Sequence, residues 1–240
     1  MEILADKLRP KCLDDIIGQK HLVGEDKIIR NLVENNHIMS MILYGKPGIG
    51  KTSIACAIAN QVEKPYRMLN ATINNKQDFD IVIEEAKMNG EMIIIMDEIH
   101  RLNKDKQDLL LPYIENGLII LIGMTTSNPY HKINPAIRSR CQIFELKELN
   151  IEDIKEGLDK ASKYLKDISI DEDAKNTIAR LSSGDLRSAI NLLEVSYYST
   201  KDKHITLDVV EKINAKAVFF SDANEDGHYD VLSGLQKSIR

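Results

Sequence analysis

The 240 residues are 43% hydrophobic and 29% charged with a formal net charge of −5, the balance of a soluble chain with room for one large or two small domains. That charge argues against a body coated in basic residues for nucleic acid and leaves only a local basic patch open. Cys12, Cys56 and Cys141 are far apart and form no CxxC pair, and the six histidines form no HExxH or paired cluster, which argues against a disulfide framework, a zinc module or another transition-metal site.

In chain order, residues 1–18 show no strong period. Arg9-Pro10 forces an extended backbone, Asp14-Asp15 offers a cap for the next helix, and Ile16-Ile17-Gly18 is a short apolar patch beside a glycine. The patch reads either as an arm packed on the core or, beside a nucleotide, as a cover for a flat adenine ring. Residues 21–35 read as one helix with Leu22, Ile28, Ile29, Leu32 and Val33 on its apolar stripe, and 39–44 as a first buried strand. A helix is then predicted through Ile54, Ala55, Ile58, Ala59 and Val62, with Cys56 as a small hydrophobe on it. Residues 66–71 suit a second strand and 78–88 a helix. Apolar strands at 92–96, 118–124 and 142–146 come next. Strands that are apolar throughout and alternate with helical stretches predict a parallel sheet covered on both faces, with ligands at the carboxyl ends of the strands.

From about Asn150 the texture turns helical. Helices are predicted through Ile151, Ile154, Leu158, Ala161 and Leu165; through Ala174, Ile178 and Leu181; through Leu186, Ala189, Ile190 and Leu193; and, after an N-cap at Thr206, through Leu207, Val210 and Ile213. The organisation expected is an α/β core over 1–148, a small all-α lid over 149–213, and a tail over 214–240. That tail reads as a polar loop at 221–227 and an amphipathic helix at 228–240 whose apolar face lacks an evident partner.

The chemistry-bearing stretch is Gly45-Lys46-Pro47-Gly48-Ile49-Gly50-Lys51-Thr52, with Ser53 next in the chain, which fits G-x-x-x-x-G-K-[ST] at every fixed position. Glycines let backbone N–H groups close round a di- or triphosphate, Lys51 reaches the β/γ-phosphates, and the Thr52 hydroxyl is placed to ligate Mg²⁺. Asp97 and Glu98 end an apolar strand: Asp97 for Mg²⁺, directly or through water, and Glu98 as the general base on the attacking water. Thr126, with Thr125 and Asn128 as rivals, offers a hydroxyl or amide to that water or to the γ-phosphate. Arg138-Ser139-Arg140 contains a candidate arginine finger for a neighbouring subunit, though such a pair is more often plain surface charge. Asp185 suits an N-cap, and Arg187 in the first turn of the same helix runs against the macrodipole preference, which points to an anionic partner. His100, Arg101, Lys104 and Lys106 read as a basic cluster, either a solvated face or a surface for nucleic acid or a neighbouring subunit.

Together these motifs resemble an AAA+ ATPase. The segment through Arg9-Pro10 to Gly18-Gln19 is similar to a signature of clamp-loader and Holliday-junction-motor relatives. The stretch 96–129 (MDEIHRLNKDKQDLLLPYIENGLIILIGMTTSNP), with Gly184-Asp185-Leu186-Arg187, Asn191-Leu192-Leu193-Glu194, His228-Tyr229-Asp230 and Lys237-Ser238, resembles the replication-associated recombination protein A family, which includes the Werner-helicase-interacting ATPase. The resemblance implies a P-loop AAA+ core with a five-stranded parallel sheet between helices, then an all-α lid. It implies Walker A at 45–52, Walker B at 93–98, sensor 1 at Thr126, a trans-acting finger at Arg140, sensor 2 at Arg187, and adenine flanked by Leu8, Pro10, Ile16 and Ile17. ATP and Mg²⁺ would be the cofactors. The partners implied are DNA at forks, gaps and single-strand/duplex junctions, single-strand-binding protein and replisome components, and further copies in a tetramer. No membrane is involved, and the setting is cytoplasmic, at the nucleoid. Residues 228–240 would open the family's tetramerisation domain. Lys46, Ile49 and Ser127 depart from the family pattern, and Lys46 adds charge beside the phosphates. A clamp-loader subunit, a branch-migration motor and a low-turnover ATP-switched scaffold stay open as alternatives. DEIHR and the absence of a four-cysteine module count against the first, the NKDKQDLLLP stretch against the second, and intact Lys51, Asp97 and Glu98 against the third.

Overall fold

The computed structural model describes residues 4–215. Five strands, β1 (Met41–Tyr44), β2 (Tyr66–Asn70), β3 (Met92–Asp97), β4 (Ile119–Thr125) and β5 (Gln142–Glu145), form one all-parallel sheet in the order β2-β3-β4-β1-β5. Every strand falls where the apolar runs predict it, within one or two residues at either end. The helices of this part are α1 (Leu4–Lys7), α2 (Lys20–Val23), α3 (Ile28–Glu34), α4 (Lys51–Gln61), α5 (Lys76–Asn89), α6 (Lys104–Glu115), α7 (Pro129–Lys132) and α8 (Pro135–Arg138). They cover both faces, as an all-parallel sheet requires.

Side chains alternate along each strand, so the sheet feeds two apolar cores. Ile93 and Ile95 of β3, with Ile120 and Ile122 of β4, pack beneath Ile54, Ala55 and Ile58 of α4. Ile94, Met96 and Leu121 face the other way, against Phe79 and Val82 of α5 and Leu110 of α6. Asparagines start the covering helices: Asn75 forms a capping box with Asp78 at α5, and Asn103 accepts from Lys106 N–H at α6.

Two expectations need correction here. The single helix over 21–35 is two: α2 stops at Gly24, Asp26 adopts φ +55°, and α3 begins at Ile28, which is exposed. A β-carbon at Gly24 would crowd the Lys20 carbonyl oxygen, so glycine is what lets the chain turn there. Asp14 and Asp15 do not cap the next helix. They close a single 3-10 turn, Leu13–Asp15, in which Asp15 accepts from the Lys11 N–H and the Cys12 thiol, while Asp14 pairs with Arg30 at 2.6 Å.

After β5 the chain runs through an irregular stretch into α9 (Ile151–Ser162), α10 (Glu172–Leu181) and α11 (Leu186–Ser199), then a helical stretch at 207–215. Asn150 and Asp153 form a capping box that starts α9. This lid is not purely helical. Ser169–Ile170 (β6) and His204–Ile205 (β7) pair as a two-residue parallel ribbon, too short for any alternation to show in the sequence. The β1/β4 core continues without a gap through Leu13, Ile16, Leu146 and Leu149 into Ile154, Leu158, Ala189 and Leu193 of the lid. The loop expected at 221–227 and the helix expected at 228–240 lie outside the described residues.

Candidate nucleotide site

β1, β4 and β3 are neighbours, so their carboxyl ends bring together segments distant in sequence. Tyr44 lies opposite Thr125, and Gly45 N–H donates to the Thr125 carbonyl at 3.2 Å, which sets the start of the phosphate loop beside the exposed Thr126. Met96 lies opposite Gly123, so Asp97 and Glu98 leave the sheet one strand further along. Gly45 (φ +149°), Gly48 (φ +68°) and Gly50 (φ +102°) take conformations that side-chain-bearing residues rarely adopt, and the loop depends on them. Gly50 sits at the N-cap of α4, so Lys51, Thr52 and Ser53 occupy its first turn and their orphan N–H groups face the loop.

Lys51 is folded back on its own loop, donating to the Gly45 carbonyl at 2.7 Å and the Lys46 carbonyl at 2.6 Å. Burial pushes its ammonium below the ordinary lysine value. Asp97, Glu98 and Asp185 pull it back up, and Arg187 adds to the lowering. Those four groups therefore share one electrostatic neighbourhood with Lys51, although they come from β3 and from the lid. Asp97 Oδ1 accepts from Glu98 N–H at 2.9 Å, and Glu98 itself stands at φ +51°, ψ +39°. Left-handed backbone at a non-glycine residue costs about 1–2 kcal/mol, strain of the kind found at functional turns.

The lid docks directly on the loop. Leu186 N–H, in the first turn of α11, donates to the Gly48 carbonyl at 3.2 Å, and Asp185 caps α11 through Ser188 N–H at 2.9 Å. The Asp185 carboxylate fills the space where a β-carbon on Gly48 would lie. Lys46, the departure from the family loop, pairs with Glu148 at 2.7 Å instead of standing free beside the phosphates.

The remaining predicted residues divide between the seam and the surface. Ile16 is buried, and Ile17 reaches Gly157 of α9 beside Leu186 of α11, at the seam between core and lid. Leu8 packs partly buried against the same core. Pro10 instead lines a cleft of about 460 Å³ with Arg9, Cys56, Asn60, Tyr66, Met68 and Tyr164. Among the sensor candidates, Thr125 is buried with its hydroxyl 2.9 Å from His100 Nδ1, and Asn128 caps α7 through Tyr130 N–H, whereas Thr126 is exposed. Arg140 is exposed and pairs with Glu115. It precedes β5, whose first residue lies opposite Met41, the start of β1. The sheet is parallel, so Arg140 stands at the opposite end of the strands from the phosphate loop of its own chain. The basic cluster expected at 100–106 is not one surface. His100 turns inward to Thr125, while Lys106 donates to the Asn74 carbonyl at 2.6 Å and lies over the Phe79 ring.

Gln19 ends the N-terminal segment of family resemblance, which assigns it no contact, yet the fold gives it a clear role. Its side chain donates to the Ile49 carbonyl at 3.2 Å and the Lys147 carbonyl at 2.6 Å, and accepts from Lys147 N–H at 3.0 Å. It thus clamps the phosphate loop to the chain leading into the lid. A lone glutamine after Gly18 carries no period or spacing that would reveal this.

Thr52 and Asp97 supply a hydroxyl and a carboxylate, the hard oxygen donors that Mg²⁺ takes when most of its shell comes from phosphate and water. Among the described residues no group of three or more His, Cys, Asp or Glu is placed to hold a metal ion by itself, and no helix is long and apolar enough to cross a membrane.

The sequence model of the ATPase family associated with various cellular activities (AAA) matches residues 41–149, and that of the AAA C-terminal domain matches 163–240. Replication-associated recombination protein A of Bacillus subtilis is 55% identical over 100% of this chain and 60% of its own length. The protein of the same name from Escherichia coli K12 is 35% identical over 99% of this chain and 56% of its own, and ATPase WRNIP1 of Dictyostelium discoideum 35% identical over 99% and 30%. The chain therefore spans at most 60% of the length of these relatives. Among solved structures, the Thermotoga maritima RuvB Holliday junction branch migration motor superposes with a TM-score of 0.72 at 29% identity, over 85% of this chain and 71% of that one. With these matches over nearly its whole length and the phosphate loop, acid pair and lid in AAA arrangement, the chain belongs to the replication-associated recombination protein A family of AAA ATPases.

Proposed function

We propose that the chain is the ATP-hydrolysing part of a DNA-dependent AAA+ ATPase that acts in replication-fork maintenance, recombination and repair at single-strand/duplex junctions. One observation carries the catalytic side of this reading. Lys51, Asp97, Glu98, Asp185 and Arg187 share one electrostatic neighbourhood at the carboxyl ends of β1 and β3 and the N-terminus of α11. ATP would lie between core and lid, its phosphates on the N–H groups of 45–53 and its base toward Ile17, with Leu8, Pro10 and Ile16 on the same N-terminal segment. Lys51 would exchange its two loop carbonyls for phosphate oxygens. Thr52 and Asp97 would hold Mg²⁺, which would supply charge neutralisation on the phosphates. Glu98 orients the attacking water and takes its proton, Thr126 hydrogen-bonds the water or the γ-phosphate, and Arg187 carries the state of the γ-phosphate to the lid.

The position of Arg140, remote from its own phosphate loop, supports its use on a neighbouring copy's γ-phosphate, and hence a homo-oligomer. The tetramer implied by the family resemblance is the arrangement we propose for the intact protein. Single-strand-binding protein and replisome components are the proposed partners, in the cytoplasm at the nucleoid. The RuvB-like fold favours a branch-migration motor as a second reading, but 55% identity to the recombination protein against 29% to RuvB ranks it lower.

The test is ATP hydrolysis by the full-length protein with forked, gapped and duplex DNA, alongside Glu98→Gln and Arg140→Ala. DNA should stimulate hydrolysis, and Arg140→Ala should lower turnover by ~10³–10⁵ if it acts as a finger. No DNA stimulation, or unchanged rates in both variants, would overturn the proposal. Added sliding clamp separates the clamp-loader alternative.

A further inference from the structure

Beside the phosphate loop, three side chains form a line of close polar contacts that nucleotide binding does not call for. Glu98 Oε2 lies 3.3 Å from His100 Nε2, and His100 Nδ1 lies 2.9 Å from Thr125 Oγ1. Both nitrogens of the ring are therefore engaged, one by the proposed base and the other by the last residue of β4. The ring is mostly enclosed, its side chain 12% exposed against 31% for Glu98.

The carboxylate end biases the direction of the line, because a carboxylate only accepts and so favours the ring proton on Nε2. At the other end Ser127 N–H donates to Thr125 Oγ1 at 3.0 Å, and the hydroxyl keeps its own proton to give. The alternative acceptor, the Ser127 carbonyl, is further away at 3.3 Å. With the ring proton on Nε2, the nitrogen facing Glu98, Nδ1 of the neutral ring accepts from the Thr125 hydroxyl. Two hydrogen bonds thus lead from the backbone after β4 through Thr125 to the ring, whose Nε2 lies at ion-pair distance from the carboxylate. The line resembles a hydroxyl–imidazole–carboxylate triad but offers no nucleophile, because Thr125 is 1% exposed and out of reach of water or substrate.

The backbone is built for this approach. A β-carbon on Gly123 of β4 would stand 2.7 Å from Ile99 Cδ1, so glycine lets the turn carrying Glu98, Ile99 and His100 sit close to β4. Glu98 has left-handed backbone on that turn, and its other ion-pair neighbour among the described residues is Arg101, at 3.8 Å.

We propose that His100 is a positioning residue for hydrolysis: its imidazole fixes the Glu98 carboxylate and ties it, through Thr125, to the strand end that carries Thr126. This rests on Glu98 being the general base. A γ-phosphate contact at Thr126 and the aim of the base then belong to one connected element. Without the imidazole the half-buried carboxylate loses its nearest side-chain contact, and misplacement of a catalytic group by about 1 Å costs on the order of 10²-fold in rate.

The test is steady-state ATP hydrolysis by the full-length protein with DNA, together with binding of a non-hydrolysable ATP analogue. His100→Ala should lower kcat by about 10- to 100-fold, while KM and analogue affinity stay within about twofold. His100→Gln, whose amide N–H can occupy the Nε2 position, should regain most of the loss, and His100→Asn, which mimics Nδ1, less. Thr125→Val should lower kcat in the same direction, and His100→Ala with Thr125→Val should be no worse than His100→Ala alone. An unchanged or raised kcat in His100→Ala, a parallel loss of affinity, or additive losses in the double variant overturns the proposal. Should His100→Ala not fold, His100→Gln and Thr125→Val decide: wild-type rates in Thr125→Val sink it. A wild-type protein without ATPase activity would instead overturn the function proposed above.

Discussion

Gln19 shows how much of a phosphate loop's shape is held from outside the loop. Its amide satisfies the Ile49 carbonyl and both polar backbone groups of Lys147, and the residue is buried at 5% exposure. Removing one partner leaves buried backbone groups unpaired, at about 1–3 kcal/mol. Gln19→Ala should therefore lower the thermal midpoint and also weaken ATP-analogue binding, because one side chain serves both the loop and the hinge to the lid. An unaltered midpoint would contradict this. Among single residues Lys51 is likewise set by its surroundings: burial disfavours its charge and keeps its ammonium below the ordinary lysine value, while the carboxylates around it offset part of that. The residue types of the site were legible in the sequence, since G-x-x-x-x-G-K-T and an acid pair after an apolar strand have few other uses. Gln19, the Glu148 partner of Lys46 and the inward turn of His100 were not legible. Each is a contact between segments far apart in sequence, or a rotamer choice within a polar run.

Between elements, the contact that matters is α11 on the phosphate loop. An N-capping aspartate normally meets only its own helix, but Asp185 also occupies the space above Gly48. Gly48 and Gly50 both have positive φ, so alanine at either carries left-handed strain of about 1–2 kcal/mol. Only at Gly48 does the new methyl meet the Asp185 carboxylate, whereas nothing lies within 4 Å of a β-carbon at Gly50. Gly48→Ala should accordingly lower the thermal midpoint more than Gly50→Ala, and Asp185→Ala in the same chain should recover part of the difference. Equal midpoints for the two alanine variants would show that α11 does not rest on the loop. The strands and the Asp185 cap could be read from the chain in advance, whereas the cap expected at Asp14 and Asp15 does not form. The break between α2 and α3 at Gly24 could not be read, because the apolar stripe ran on through it and the turn rests on the missing β-carbon, which would crowd the Lys20 carbonyl.

Across the molecule, one apolar core passes from the sheet through α4 and the N-terminal segment into α9, α10 and α11. A lid that shares its core with the sheet has no separate reservoir of stability. We expect thermal unfolding as a single transition, with calorimetric and van't Hoff enthalpies in agreement. Two resolved transitions would mean that core and lid unfold independently. The same continuity joins α11, which carries Arg187, to the packing beneath α4.

Local periodicity, capping and spacing were enough to specify the α/β class, the five strands, the helical texture after Asn150 and the phosphate-loop motif. Other features emerge only once the chain is folded: the strand order that sets Thr126 beside Gly45, the distance of Arg140 from its own loop, the seat of Asp185 on Gly48, and the line from Thr125 through His100 to Glu98. Each of these joins residues through space, where hydrogen-bond direction and close packing choose the partner and no spacing along the chain records it.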